Sequence, residues 1–201
     1  MFNSNSGGPH PAGLHKGTAN APLLLIAVIA TLAAVLLTAF APGRAEAASC
    51  SGGDKHPRQI SSKTAAKVVV CLVNKKRRHH GMRPLKKSSD LMNAARGHTR
   101  KMQKTNCFSH NCPGERSLSG RYERARYLPC GCSWGAGENI GWGPGRKGSP
   151  RQIVKAWMHS PEHRRNILGS FDHVGVGVKW GSPSRRHSKA GTYTMDFGYK
   201  R

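Results

Sequence analysis

Acidic residues are scarce in this chain of 201 residues: 9 Asp and Glu stand against 33 Lys and Arg, a formal net charge of +24 at pH 7. Aromatic residues make up only 6%. Lys and Arg bind phosphates whatever the base sequence, but single-strand binders also interleave aromatic side chains on which the bases stack. The basic clusters here contain no such aromatics. We therefore expect mostly solvated basic surface, salt-sensitive adhesion to anionic cell-envelope polymers, and no specific nucleic-acid partner.

Several chemical signatures are missing as well. The chain has no H-E-x-x-H zinc-protease motif and no G-x-S-x-G nucleophile elbow, which disfavours a serine hydrolase and the commonest zinc proteases. It also has no paired C-x2-C knuckles, the spacing that holds structural zinc. The cysteines therefore need another explanation.

One long apolar run is present, at residues 23–40, and it contains no charge. The small-x-small sequence Ala45-Glu46-Ala47 that follows is typical of a signal-peptidase site. Residues 1–47 are thus predicted to be a signal peptide, or an uncleaved N-terminal membrane anchor, since the run is just long enough to span a bilayer. We expect an extracellular or cell-envelope location, with membrane contact only through an uncleaved segment.

All six cysteines follow the apolar run. An even number of cysteines in an exported chain predicts disulfide bonds, although the spacing does not choose among the pairings. The cysteines are Cys50, Cys71, Cys107, Cys112, Cys130 and Cys132.

Patterning predicts a linker over residues 48–60 and one folded domain over residues 61–201. Apolar spacing predicts a helix over residues 62–79, and a second helix capped by Ser88 or Ser89. Further helices are predicted within residues 118–128 and after the Ser-Pro pairs at 149–150 and 160–161, and strands at 136–142, 173–180 and 192–199. Helices first and strands later suggest an α+β layered domain.

Four sequence segments stand out in a fixed order: CFSH at 107–110, GENI at 137–140, AWMHSPEHRRNIL at 156–168 and VGVGV at 174–178. Together with the strand at 193–198, they resemble the CAP superfamily of cysteine-rich secretory, antigen 5 and pathogenesis-related proteins. The bacterial SCP-like extracellular branch is the most similar, and the resemblance covers about residues 67–199.

The resemblance implies a three-layer α-β-α sandwich with a cleft holding two histidines and two acids. The matching positions are His110, Glu138 and His163. The fourth member is Glu115, displaced by one position from the family pattern, or alternatively Glu162, which stands where bacterial relatives commonly have glycine.

Neutral imidazoles and carboxylates suit zinc, and some family members bind divalent metals, so His110 and His163 are the candidate ligands for zinc or another divalent cation. No cofactor is required, because the same residues could form only a structural polar cluster. A binding module for a divalent ion, a small apolar ligand or a peptide is favoured over a metal-assisted hydrolase or peptidase with Glu138 as base. His98, on the apolar face of the second helix, is expected to be a core histidine.

Overall fold

The computed structural model describes residues 50–184 and 186–201. The predicted signal peptide or anchor and the start of the linker lie outside these residues. The first helix, α1, spans Ser62–His79, and the side chain of its N-cap Ser61 accepts a hydrogen bond from the Thr64 N–H at 3.0 Å. Its buried residues recur at helical spacing, so the prediction of this helix is confirmed.

The remaining elements follow the predicted order, with two additions, a two-residue strand and a 3-10 turn. Helix α2 (Ser89–Lys104) is capped by the Ser88 hydroxyl, and prolines begin helices α4 (Pro150–His159) and α5 (Pro161–Ile167). Ser149 and Ser160 occupy the N-cap positions of α4 and α5, but their side chains form no capping hydrogen bond. The elements are β1 (Lys86–Lys87), α2 (Ser89–Lys104), α3 (Leu118–Arg124), β2 (Trp134–Pro144), a 3-10 turn (Gly145–Gly148), α4 (Pro150–His159), α5 (Pro161–Ile167), β3 (His173–Trp180) and β4 (Ala190–Lys200).

Four strands form one sheet in the order β1-β3-β4-β2. Strand β4 is central and pairs antiparallel with both β2 and β3, whereas the short β1 runs parallel to β3. Three strands were predicted and β1 was not, because a pair of exposed lysines has no alternating pattern. Strands β2 and β3 therefore lie on opposite sides of β4, with β2 at one edge of the sheet.

Helices cover both faces of the sheet, which confirms the layered α-β-α architecture. On one face α1, α4 and α5 bury an apolar core that includes Trp157, Val176 and Phe197. On the other face α2 lies directly over β3, where a Cβ on Gly175 or Gly177 would collide with the backbone of α2. These glycines let the helix approach the strand closely.

Arg77 departs from the expectation of solvated basic surface, as does Arg121 of the site described below. Arg77, in the basic run at the end of α1, is 2% exposed. Its guanidinium donates hydrogen bonds to the carbonyl oxygens of Arg83, Ile167 and Gly169. Arg77 thus links the end of α1 to the chain around the end of α5. These contacts depend on tertiary structure, so the run of four cations in the sequence does not predict them.

The cysteines pair as Cys50–Cys71, Cys107–Cys112 and Cys130–Cys132, as the expectation of disulfides required. The first pair fastens the N-terminal arm to α1, and the second closes a short loop after α2. No helix within the described residues is long and apolar enough to cross a membrane.

Candidate functional site

The site is centred on Glu138, in the GENI segment of β2. Strand β2 alternates its side chains between the two faces, so Glu138 and Ile140 lie on the α2 side while Asn139 lies on the α5 side. The Glu138 side chain is 2% exposed. A carboxylate this deeply buried must be compensated by charge and hydrogen bonds.

Arg121, in α3, supplies part of that compensation. Its Nη2 lies 2.6 Å from Glu138 Oε2, and its Nη1 donates to the His110 carbonyl oxygen at 2.8 Å. The Arg121 side chain is itself only 6% exposed. The pair is therefore a buried, charge-assisted contact that joins α3, β2 and the loop after α2.

His110 occupies that loop, which the Cys107–Cys112 disulfide closes. Its Nδ1 lies 2.7 Å from Glu138 Oε1, and 57% of its side chain is exposed. Because an ionised carboxylate only accepts hydrogen bonds, Nδ1 is the protonated nitrogen of this contact. Glu138 thereby orients the ring and leaves Nε2 as the nitrogen that can accept a ligand when the imidazole is neutral.

His163 lies in α5, and its Nδ1 is 2.7 Å from the Ser160 hydroxyl. Two amides fix α5 to β2: Asn139 Nδ2 donates to the His163 carbonyl oxygen at 3.0 Å, and Asn166 Nδ2 donates to the Glu138 carbonyl oxygen at 3.1 Å. Burial, and secondarily the nearby His110, lower the pKa of His163. Its imidazole is accordingly biased toward the neutral form, which binds metals.

The two alternatives for the fourth cleft residue occupy different environments. Glu115 lies in the interior, with its Oε2 2.8 Å from His98 Nδ1 and 3.6 Å from Arg121 Nη1. Glu162 is exposed on α5, and its charge opposes the lowering of the pKa of His163. The structure thus joins Glu115 to Glu138 through Arg121, and leaves Glu162 beside His163.

His98 has partners that sequence reasoning missed. It is fully buried, as expected of a core histidine, and its ring also contacts charged groups: Nδ1 lies 2.8 Å from Glu115 Oε2, and Nε2 lies 3.8 Å from Glu138 Oε2. Nε2 has no hydrogen-bond partner among the described residues. No local pattern signals this role, because helical spacing reports burial and not the polarity of the neighbours.

Asp196 was also missed. It is the register partner of Glu138 on β4 and is completely buried, with neither carboxylate oxygen hydrogen-bonded within the described chain. Burial, followed by the neighbouring Glu138, raises the pKa of Asp196 well above its ordinary value. Burial opposes ionisation of Glu138 too, but the His110 hydrogen bond, His98 and Arg121 hold the pKa of Glu138 below its usual value. The sequence signal for Asp196 was an acidic residue within a strand whose other residues are mostly buried.

The site thus has an inner polar cluster, formed by His98, Glu115, Arg121, Glu138 and Asp196, and an outer pair of histidines, His110 and His163. Within the described residues, no group of three or more His, Cys, Asp or Glu is arranged to hold a metal ion. The outer pair can supply two imidazole ligands, so further ligands would have to come from water or from a bound molecule.

The chain belongs to the CAP family. The family described as "Cysteine-rich secretory protein family" matches residues 70–197, which contain His110, Glu138 and His163. The resemblance drawn from the sequence motifs is therefore confirmed. Membership defines the fold and the family; it does not by itself assign a ligand.

Two curated relatives from Bacillus subtilis (strain 168) share the sequence of this region. An uncharacterized protein, YkwD, is 37% identical over 113 residues, 55% of this chain and 41% of its own length. An uncharacterized membrane protein, YlbC, is 32% identical over 120 residues, 57% of this chain and 32% of its own length. The chain thus spans less than half of either relative.

Solved structures share the fold. An extracellular protein containing an SCP domain from Bacillus anthracis superposes with a TM-score of 0.55 at 25% identity, over 69% of this chain and 43% of that one. An outer surface protein of Borrelia burgdorferi gives a TM-score of 0.58 at 17% identity, over 72% of this chain and 99% of that one.

Proposed function

We propose that the protein is an exported CAP-domain binding module whose outer histidines bind a divalent transition-metal ion, with the remaining coordination positions open to a small ligand. Export is supported by the apolar run with its small-residue site and by the description of the Bacillus anthracis neighbour as an extracellular protein. Zinc is the best-suited common ion, because it accepts imidazole ligands and keeps open positions for water or a bound group.

The observation that carries the proposal is the contact between Glu138 and His110 Nδ1. Metal-binding histidines typically donate their second ring N–H to a carboxylate, a backbone carbonyl or water, which fixes the tautomer and raises the basicity of the ligating nitrogen. His110 has such an anchor at Nδ1, the Glu138 carboxylate, which leaves its Nε2 for a ligand. His163 Nδ1 contacts the Ser160 hydroxyl, which can donate or accept, so Nε2 of His163 is left for a ligand in the tautomer whose Nδ1 donates.

The same contacts favour binding over hydrolysis. A general base must have an oxygen free to accept a proton from water or substrate. Glu138 Oε1 is engaged by His110 and Oε2 by Arg121, while the pKa of Glu138 is lowered and its side chain is almost inaccessible. Glu138 is therefore better suited to orient His110 than to activate water, and the metal-assisted hydrolase is the weaker hypothesis.

Calorimetric titration of the protein with zinc tests the proposal. We expect saturable binding of one ion, lost in the double variant His110→Ala/His163→Ala. The matched control is His79→Ala/His80→Ala, which removes two exposed histidines at the end of α1. Equal loss of binding in both variants, or no binding by the unaltered protein, would overturn the metal-binding proposal.

Polybasic adhesion is a second candidate function, favoured by the net charge of +24. It needs no cleft. Binding to anionic envelope polymers such as a polyphosphate would then fall steeply with added salt and would persist in His110→Ala. Adhesion that does not weaken with added salt, or that is lost in His110→Ala, would contradict this second function.

A further inference from the structure

The edge of the sheet opposite β2 is only partly covered. Strand β1 pairs with β3 at two positions, Lys86 with His173 and Lys87 with Val174. Beyond Val174, no other strand in the described chain pairs with this side of β3. Sheet edges that are long and open are the places where another chain can add by main-chain hydrogen bonding.

The pairing pattern identifies which backbone groups lie along this edge. The Val174 carbonyl oxygen accepts a hydrogen bond from the Ser88 N–H, so Val174 directs its main-chain groups away from β4. Backbone groups of successive residues in a strand alternate between the two sides. Val176 and Val178 therefore direct their N–H and C=O groups outward, toward the side of β3 that no described strand pairs with; Val176 is 2% exposed, whereas Val178 is partly exposed.

A groove follows this edge between the two helical layers. Two adjoining cavities, of about 410 and 130 Å³, share lining residues from α1, α2 and β3. Ala66 and Val70 of α1 form one wall, Met92 and Arg96 of α2 form the other, and Val176 belongs to the floor. The stretch of β3 beyond Val174, residues 175–180, is six residues long, roughly 20 Å at the rise of a strand.

The charge on this groove has one sign. Among the described residues that line it, none is acidic and six are cations: Lys63, Lys67, Lys87, Arg96, Arg100 and Lys179. Cations on the rim oppose pairing with a second copy of the same basic protein, and they attract a chain of opposite charge. The occupant that fits has an extended backbone whose main-chain groups face the floor, with side chains that alternate between the α1 and α2 walls and carboxylates within reach of the rim cations.

We propose that the groove between α1 and α2 binds an extended acidic peptide segment, which adds to the sheet as a strand on β3. Main-chain hydrogen bonds to Val176 and Val178 supply affinity, and the rim cations select carboxylates. The groove is on the opposite edge of the sheet from the His110–Glu138 cleft, so peptide binding there does not depend on metal binding in the cleft.

The probe is a fluorescein-labelled peptide of sequence Glu-Val-Glu-Val-Glu, followed by fluorescence anisotropy. The first control peptide has the same sequence with every peptide nitrogen methylated, which keeps the side-chain charges but removes the backbone donors in either register. Strand addition predicts binding about tenfold weaker or worse for this control, equivalent to one or more lost hydrogen bonds. Equal binding of the two peptides would show that charge alone is recognised and would overturn strand addition.

Amide hydrogen exchange gives a second readout at the proposed edge. The acidic peptide should slow exchange at Val176 and Val178 selectively, since these N–H groups would become donors in the new strand. Peptide binding with unchanged exchange at both amides would overturn the proposed location.

Variants separate the groove from general basicity. Lys63→Glu/Arg96→Glu reverses two groove charges, and Lys76→Glu/Arg78→Glu makes the same charge change at exposed positions at the other end of α1. We expect the groove variant to lose at least about tenfold in affinity and the control to lose less than about threefold. Equal losses in the two variants would overturn the proposal.

Discussion

Arg121→Met should destabilise the fold strongly, because it leaves Glu138 ionised and almost fully buried without its closest cation. The two side chains are 6% and 2% exposed, and their charged atoms are 2.6 Å apart. Removing one partner of such a pair typically costs about 3–5 kcal/mol, since an uncompensated charge stays in the interior. Methionine keeps most of the aliphatic volume, so little of the loss would come from a cavity.

Denaturant unfolding followed by tryptophan fluorescence measures this loss, with Glu138→Gln and the double variant completing a cycle. The double variant should be less destabilised than the sum of the two single variants by about 1 kcal/mol or more, because it removes both charges. A loss below about 1 kcal/mol for Arg121→Met, compared with the 3–5 kcal/mol typical of buried pairs, would refute the reasoning that this pair anchors the site.

Three further predictions concern the scaffold. Gly177→Ala should lower the free energy of unfolding by about 1–3 kcal/mol, because the new Cβ would collide with the backbone of α2. Gly97→Ala should raise it by about 0.5–1 kcal/mol, because Gly97 has a helical backbone and open space around it. Shifts of the melting temperature in opposite directions check both predictions. Asp196→Asn should raise stability at pH 7 but not near pH 3. The pKa of Asp196 is raised in the folded protein, so this residue destabilises the fold only at pH values above its pKa in the unfolded chain, about 3.9. A difference in unfolding midpoints that does not change with pH would contradict this. Replacing Cys50 and Cys71 with serine should cost about 3 kcal/mol in chain entropy for a sequence separation of 21, and a variant with an unchanged melting temperature would show that the bond does not stabilise the fold.

Local sequence signals predicted the elements that local physics controls. The Ser61 cap and the spacing of buried residues define α1, and glycine alternation identifies β3. The strand β1 could not be predicted in this way, because Lys86 and Lys87 are extended only through pairing with a strand that follows much later in the chain. Tertiary pairing, not propensity, makes these two residues a strand.

The candidate site divides in the same manner. The motifs that resemble the family identified His110, Glu138 and His163 as site residues, whereas no sequence motif indicates Arg121 or Asp196. Their importance arises because α3 and β4 bring them against Glu138 from distant parts of the chain. Burial of a charged pair is a property of the assembled fold, so only the three-dimensional arrangement reveals it.

The central claim, that Glu138 orients His110 with Nε2 available to a metal, is tested most directly by long-range ¹H–¹⁵N NMR of the histidine rings at a pH where imidazole is neutral. The account predicts the Nδ1–H tautomer for His110, a shift of its Nε2 resonance on adding zinc, and loss of the tautomer preference in Glu138→Ala. An Nε2–H tautomer of His110 in the unaltered protein, insensitive to zinc, would contradict it.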